Sequence, residues 1–202
     1  FDKDYDERRF SGHSIPLAAL GVFLLWFGWY GFNAGSQLGA EGAVNANAIA
    51  LIAVNTTLAA CAGALSALVW GYFRTKLYKA GFALNGCLGG LVGITAPCAF
   101  VSPKASILIG LIGGVVVVVI AEILERFKID DAVGAVPVHL GTGVWGTLAV
   151  GLFHLEKGVL YGHGWDLFKT QLLGVVAVGV FVFLVSWVVF HLLRVTVGVR
   201  VS

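Results

Sequence analysis

The chain has 202 residues, of which 58% are hydrophobic and only 12% are charged, and its formal net charge is +2. Soluble domains carry about 25% charged residues, so this composition excludes an ordinary soluble fold and indicates that lipid solvates part of the chain. No basic run of the kind that binds nucleic acid occurs, and the three cysteines lie in apolar segments without metal-ligand spacing. We therefore expect an integral membrane protein with no nucleic-acid partner, no metal site and no cofactor.

Charged residues and glycines divide the sequence into six apolar stretches. Each stretch is near or above the roughly 20 residues that a helix needs to cross the hydrocarbon core. Backbone groups in lipid must be hydrogen-bonded internally, which favours a helix bundle. The sequence predicts an all-α integral membrane protein with six transmembrane helices in one membrane domain over residues 1–202. The predicted helices span about 14–35, 45–72, 82–100, 105–124, 131–155 and 165–193.

Positive charge is distributed unevenly across the predicted bundle. Six crossings put both chain ends and the connections 73–81 and 125–130 on the same side. Ten of the 13 Lys and Arg residues lie on that side, and the positive-inside rule assigns it to the cytoplasm. The sequence predicts a multi-pass protein of the cell membrane, with both ends of this segment cytoplasmic.

The start of the chain is unusual for a complete protein. The sequence begins at Phe1, contains no methionine and has no visible signal peptide. A natural chain needs a start codon, so we interpret these residues as the later part of a longer protein. An engineered chain without methionine is the alternative interpretation.

The first predicted helix carries a stripe of aromatic and polar side chains. At 100° per residue Trp29, Phe32, Asn33 and Ser36 share one face, and the predicted topology puts it at the external end. Aromatic faces attract a cation, by about 1–2 kcal/mol once it is desolvated, and a serine hydroxyl can accept from a donor-rich ion. The stripe could collect a small cation. The alternative is an interfacial aromatic belt with core packing.

His139 lies about eight residues into the fifth predicted helix, after Asp130 and Asp131, whose carboxylates are expected to cap that helix. At about 1.5 Å per residue it is about 12 Å below the helix start, close to the bilayer midplane. An ionisable residue at that depth is costly and indicates a function. The alternative is a core histidine that is hydrogen-bonded to a neighbouring helix. Small residues share its stripe and leave space beside the imidazole: Ala135, Thr142, Gly143 and Gly146.

The predicted helix interiors suggest how a cation could cross. A bare cation in an apolar pore pays a Born penalty that can reach tens of kcal/mol, and Asp and Glu are confined to loops and helix ends. Ammonium can escape this penalty by losing a proton, which a buried neutral imidazole at His139 can accept. Thr95 and Asn33 are possible pore-lining residues, although such polar groups most often bond across helices. No nucleotide-binding, metalloprotease or nucleophile motif occurs, so we expect no enzyme activity.

Several segments resemble the ammonium transporter (Amt/Mep/Rh) family, in family order and over essentially the whole chain. The run Asn85–Pro103 is the most diagnostic and is similar to the family's eighth helix. The other similar segments are Phe27–Ser36 to the sixth helix, Ala53–Ala60 to the seventh, Ile129–His139 with Gly143–Phe153 to the tenth, and Thr196–Ser202 to the end of the eleventh.

The resemblance implies a trimer of eleven-helix subunits, each with its own pore and with the first ten helices in two inverted halves. This chain would supply helices six to eleven and would need helices one to five from elsewhere. Ser36 matches the external ammonium recruitment site, Phe32 the gate, and Trp29 the pore wall beside that gate. His139 matches the second histidine of a pore pair, and a PII-type regulatory protein is a possible partner. Pro137 and Leu140 depart from the family pattern around this histidine.

The function expected from residues and resemblance is transport of ammonium or ammonia through a hydrophobic pore with a mid-membrane histidine. Three alternatives remain open. The first is an ammonium sensor with a transporter-like membrane domain. The second is a pore for another small neutral solute, such as carbon dioxide or water. The third is a purely structural half-subunit whose pore residues are inert.

Overall fold

The computed structural model describes residues 14–199, and over this range the chain is helical with short connections. The all-α class is confirmed. The predicted charged segment before residue 14 and the last three residues lie outside the described range. The six α-helices are α1 Ile15–Gly35, α2 Gly42–Thr75, α3 Ala80–Thr95, α4 Pro103–Arg126, α5 Thr142–Phe153 and α6 Asp166–Thr196, with a π-helical segment Val136–Gly141 leading into α5 and a 3₁₀ turn Val159–Tyr161 before α6.

Five helical segments are long and apolar enough to cross a membrane. These are α1, α2, α4, α6 and the continuous segment Val136–Phe153. Helix α3 is also apolar but has only 16 residues, which is about 24 Å against a hydrocarbon core of about 30 Å. The chain is therefore a multi-pass membrane protein, and a sixth crossing at α3 stays a prediction.

One helix ends earlier and one helical segment begins later than the apolar stretches predict, and a backbone feature explains each difference. Helix α3 ends at Thr95, not at residue 100, because Pro97 has no N–H to continue the helical hydrogen bonds. The fifth helical segment begins at Val136, not at residue 131. Gly134 precedes it with φ +72°, which a right-handed helix cannot contain.

Asp131 caps the fifth segment at its later start. Its Oδ1 accepts from the Ala135 N–H at 2.9 Å, and its Oδ2 accepts from the Val136 N–H at 2.8 Å. One carboxylate thus satisfies two free donors at the positive end of the helical segment. The prediction of a carboxylate cap is confirmed for this residue.

Helices α2, α3 and α4 pack against one another, and small residues allow all three backbones to approach closely. A Cβ atom at Gly90 or at Gly110 would overlap the carbonyl oxygen of Ala59, so these glycines cannot be replaced without moving a backbone. In a membrane the hydrophobic effect does not drive helices together, because lipid tails are as apolar as leucine. Small residues instead allow the close van der Waals contacts that hold the helices together. The pairs are four residues apart on each helix: Ala59 and Gly63 on α2, Gly86 and Gly90 on α3, Gly110 and Gly114 on α4.

Helix α3 has α1 on one side and the fifth segment on the other. Thr95 meets Trp29 of α1, while Gly93 meets Gly146 of α5 in backbone contact. Helix α6 packs on α5, and among the described residues none of its side chains is buried. The chain thus forms a packed centre of α2, α3 and α4 with the candidate site residues on its flanks.

Arg74 and Glu122 join the ends of α2 and α4. The guanidinium donates from Nε to Oε1 and from Nη2 to Oε2, both at 2.9 Å. The side chains are 46% and 29% exposed, so water weakens the pair. We expect Arg74→Gln to lower the midpoint temperature of thermal unfolding in detergent only slightly, because water screens both charges.

Salt dependence separates this ion pair from other effects of the substitution. At 1 M salt the Debye length falls to about 3 Å, so the difference between Arg74→Gln and the parent should shrink. Lys169→Gln is the control, because Lys169 is 4.0 Å from a fully exposed Asp166 and should contribute nothing. A large loss of stability that persists unchanged in high salt would contradict a solvated pair.

Candidate functional site

The structure brings Trp29, Phe32 and Thr95 together where α1 meets α3. The indole N–H of Trp29 donates to the Thr95 hydroxyl at 2.8 Å, and that hydroxyl donates to the Leu91 carbonyl at 2.7 Å. The Trp29 and Phe32 rings meet edge to face, with centroids 6.2 Å apart. Because its N–H points at α3, Trp29 presents ring surface, and no free donor, to its other side.

Phe32 and Ser36 lie at the exposed end of this stripe. Phe32 is 62% exposed within the described residues. The Ser36 hydroxyl donates to the Phe32 carbonyl at 2.9 Å, which leaves the oxygen lone pairs of Ser36 free to accept. An aromatic face and a hydroxyl acceptor next to each other can hold a small cation that carries N–H donors.

Asn33 takes a different side of α1 from Phe32. It is 1% exposed, and its Nδ2 donates to the Thr56 hydroxyl of α2 at 3.0 Å. The Thr56 hydroxyl donates in turn to the Ile52 carbonyl at 2.7 Å. The Asn33 Oδ1 is buried without a protein partner among the described residues. These contacts favour a role in joining α1 to α2 over a role in lining a pore.

The polar groups in the middle of α2 bond across helices. The Thr57 and Tyr30 hydroxyls are 2.7 Å apart. Asn55 is fully buried, and its Nδ2 donates at 2.9 Å to both the Cys98 and the Val101 carbonyls. These bonds tie α2 to α1 and to the turn between α3 and α4. The particular partners of Asn55 could not be found from spacing, because they lie 43 and 46 residues away.

His139 is the fourth residue of the π-helical segment, and its side chain is exposed in the described part of the chain. The imidazole makes no hydrogen bond to any residue between 14 and 199. The predicted distance of about 12 Å from the helix start does not apply, since the segment starts only three residues earlier. Its depth follows instead from its neighbours on α4.

The register against α4 gives the level of His139 in the bundle. Gly141 packs against Val116 and Ile120. Ile120 precedes the end of α4 at Arg126 by six residues, or about 9 Å, and Val116 by ten residues, or about 15 Å. His139, two residues before Gly141, lies near this level of α4.

The chemistry available on these surfaces is narrow. Within residues 14–199 the carboxylates lie in connections or within about one turn of a helix end. The flanks of α3 present aromatic rings, hydroxyls and one imidazole. Such groups can accept hydrogen bonds from the N–H donors of a small cation and attract its charge, but they carry no opposite charge to neutralise it.

Two features of the site were not found from the sequence. One is the π-helical turn that carries His139, although Pro137 and Gly141 within it are signals that a regular helix is interrupted. The other is the role of the Thr142 hydroxyl: the helical wheel shows Thr142 only as a small residue beside the imidazole, whereas in the structure its hydroxyl donates to the Val138 carbonyl. Both shape the backbone that directs His139.

The fold and the site define a polytopic α-helical membrane protein with a few polar groups set in apolar walls. The sequence model of the Ammonium Transporter Family matches residues 2–202. The chain belongs to the ammonium transporter family, which confirms the resemblance seen in its sequence.

Particular relatives support this assignment. The chain is 39% identical to ammonium transporter Amt2 of Archaeoglobus fulgidus over 214 residues, which cover 100% of this chain and 45% of that protein. It is similar to the solved structure of a Sensor Amt Protein, with 36% identity, a TM-score of 0.90, and coverage of 100% of this chain and 49% of the other. The structure of Candida albicans Mep2 gives 27% identity, a TM-score of 0.87, and coverage of 95% and 44%. The chain spans about half the length of these relatives.

Proposed function

We propose that this chain forms the second half of an ammonium transporter and helps to pass ammonium or ammonia across the cell membrane. The observation that carries the proposal is His139, an ionisable side chain without a described hydrogen-bond partner on a membrane-spanning segment. An unpaired imidazole at such a position is costly and calls for a function. Family membership over residues 2–202 supports ammonium as the substrate.

In the proposed mechanism the external end of α1 collects the ion and the imidazole handles the proton. Ser36 accepts from the ammonium N–H groups while the Phe32 and Trp29 rings attract its charge, by about 1–2 kcal/mol once it is desolvated. Ammonium then gives up its proton and crosses the apolar section as ammonia, because the neutral base avoids the Born penalty. The His139 imidazole accepts this proton, or a hydrogen bond, on a ring nitrogen within this section and releases an accepted proton again at the cytoplasmic side.

The proposal includes the assembly around this chain. Six crossings put both of its ends in the cytoplasm, in agreement with the distribution of Lys and Arg. Helices one to five of the fold would cover the exposed side of Phe32 and His139 and complete the pore. A homotrimer in the lipid bilayer and a PII-type regulator at the cytoplasmic side complete the proposal.

The test is His139→Ala in the complete natural polypeptide that contains these 202 residues. We expect the rate of methylammonium uptake to fall at least about ten-fold, which corresponds to about 1.4 kcal/mol. His191→Ala is the matched control, because His191 is exposed on α6 and stacks on Trp187 away from the site. Uptake rate and selectivity against potassium that both stay at the parental level in His139→Ala would refute the pore role.

A sensor is the second candidate function, because the chain shares 36% identity and a TM-score of 0.90 with a Sensor Amt Protein. Purified protein in liposomes separates the two. A transporter gives methylammonium flux that ammonium competes for, whereas a sensor binds ammonium without flux. Methylammonium flux that ammonium does not reduce would indicate that the pore is not specific for ammonium and favour a pore for another small neutral solute.

A further inference from the structure

We infer that Thr142 is a positioning residue for His139: its hydroxyl fixes the end of the π-helical turn that directs the imidazole. This inference rests on the proposed function, since it concerns the same histidine. It adds a residue that touches no substrate and acts through the backbone.

The backbone around His139 is not a regular α-helix. Pro137 is the second residue of the π-helical segment and supplies no N–H. Hydrogen bonds from i to i+5 make the turn one residue longer than in an α-helix. Side chains before and after this turn therefore do not have the relative directions that a regular α-helix would give them. The direction of His139 relative to α5 therefore depends on how this turn is closed.

Thr142 closes the turn with two hydrogen bonds. Its backbone N–H donates to the carbonyl of His139 itself, and its hydroxyl donates to the carbonyl of Val138. One residue thus holds the two consecutive peptide groups that flank the Cα of His139 on its carbonyl and amide sides.

Thr142 is a rigid anchor, whereas His139 is exposed. Thr142 is fully buried. Its methyl group packs beside Gly89 of α3: a Cβ atom added to that glycine would lie 3.4 Å from the methyl carbon. Val117 of α4 borders the same glycine. Helices α3 and α4 therefore fix Thr142, and its two bonds carry that constraint to the residue with the imidazole.

Thr147 provides a matched control in the same segment. Its hydroxyl donates to the Gly143 carbonyl at 2.9 Å, which is the same bond to the residue four positions earlier. It lies in the regular α-helical part of α5 and does not hold the peptide groups of His139. If these bonds only stabilise the helix, losing either hydroxyl should affect stability to a similar extent. A transport rate that falls for the Thr142 variant alone therefore reports on His139.

The experiment measures methylammonium uptake by Thr142→Val, Thr142→Ser and Thr147→Val in the complete natural polypeptide. Misplacing a functional group by about 1 Å can cost up to about a hundred-fold in enzymes, and for Thr142→Val we expect a smaller, roughly five- to ten-fold lower maximal rate. The KM should change by less than about two-fold, because external recruitment is untouched. Thr142→Ser, which keeps the hydroxyl, and Thr147→Val should both keep a rate near the parental one.

Each outcome decides the inference. A parental rate in Thr142→Val, an equal loss in Thr142→Ser, or an equal loss in Thr147→Val overturns it. Thr142→Ala is measured alongside and also lacks the hydroxyl, so a folding defect of the valine variant leaves the test intact. The proposed function fails separately, if His139→Ala keeps full uptake. Loss in His139→Ala with none in the Thr142 variants leaves the pore role standing and rejects the positioning role.

Discussion

Replacing Gly90 with alanine is expected to destabilise the helix bundle by about 1–3 kcal/mol or more. The added Cβ would overlap the Ala59 carbonyl oxygen and lie 2.8 Å from its carbonyl carbon. The α2 backbone has little room to shift, because Gly110 of α4 packs against the same Ala59 carbonyl group. The added Cβ therefore has to push α3 away from α2. Thermal unfolding in detergent measures the loss, and recovery of folded protein from membranes provides a second measurement.

The control for this prediction is Gly174→Ala on α6, where no heavy atom lies within 4 Å of the added Cβ. Alanine has a higher helix propensity than glycine, by about 1 kcal/mol, so this variant should be unchanged or slightly more stable. Equal stability of the Gly90 and Gly174 variants would contradict the packing described here. It would mean that α3 can shift from α2 at no cost.

The need for close helix contacts could be predicted from composition, but the contacts themselves could not. The 28 glycines in an apolar chain indicate small-residue packing. Which glycine meets which helix depends on crossing angles and axial positions, and hydropathy carries no information about these. The apolar stretches mark the helices well for the same reason: lipid selects for apolar length and not for sequence detail.

The limits of two helices depend on single residues inside apolar stretches. Pro97 ends α3, and Gly134 delays the start of the fifth helical segment. Neither residue interrupts the apolar stretch in which it lies. A helix that started at residue 131 would place His139 about 12 Å below its start, and the later start at Val136 rules this distance out. The contacts of Gly141 with α4 give the register of this segment instead. Such register information exists only between helices.

The candidate site shows the same division between a pattern and its neighbours. A helical wheel groups Trp29, Phe32 and Asn33 on one stripe, because they are three and four residues apart. In the structure Trp29 turns to α3 and Asn33 turns to α2. The wheel gives a direction about one helix axis, but it cannot say which helix occupies that direction. The bond from Trp29 to Thr95 spans 66 residues of sequence and was therefore out of reach.

Replacing Asn55 with leucine is expected to lower the free energy of unfolding by about 2–5 kcal/mol. Leucine has the same branching at Cγ, with larger terminal groups, and it removes both donors to the Cys98 and Val101 carbonyls. Asn55 is fully buried, so water cannot replace those bonds without opening the contact between α2 and the turn. A buried acceptor left without a partner costs about 1–3 kcal/mol. Thermal unfolding in detergent should show the loss.

Two further variants test whether the N–H donors of Asn55, and not the size of its side chain, hold the turn between α3 and α4. Asn47→Leu places the same change at an exposed position of α2 and should leave stability unchanged. Asn55→Asp keeps the size but, when ionised, offers only acceptors to two carbonyl oxygens. It should therefore be at least as unstable as the leucine variant. If the aspartate variant folded with parental stability, the clamp would not depend on donation from Nδ2, and the turn would have to be held by its packing around Val101 and Cys98 alone.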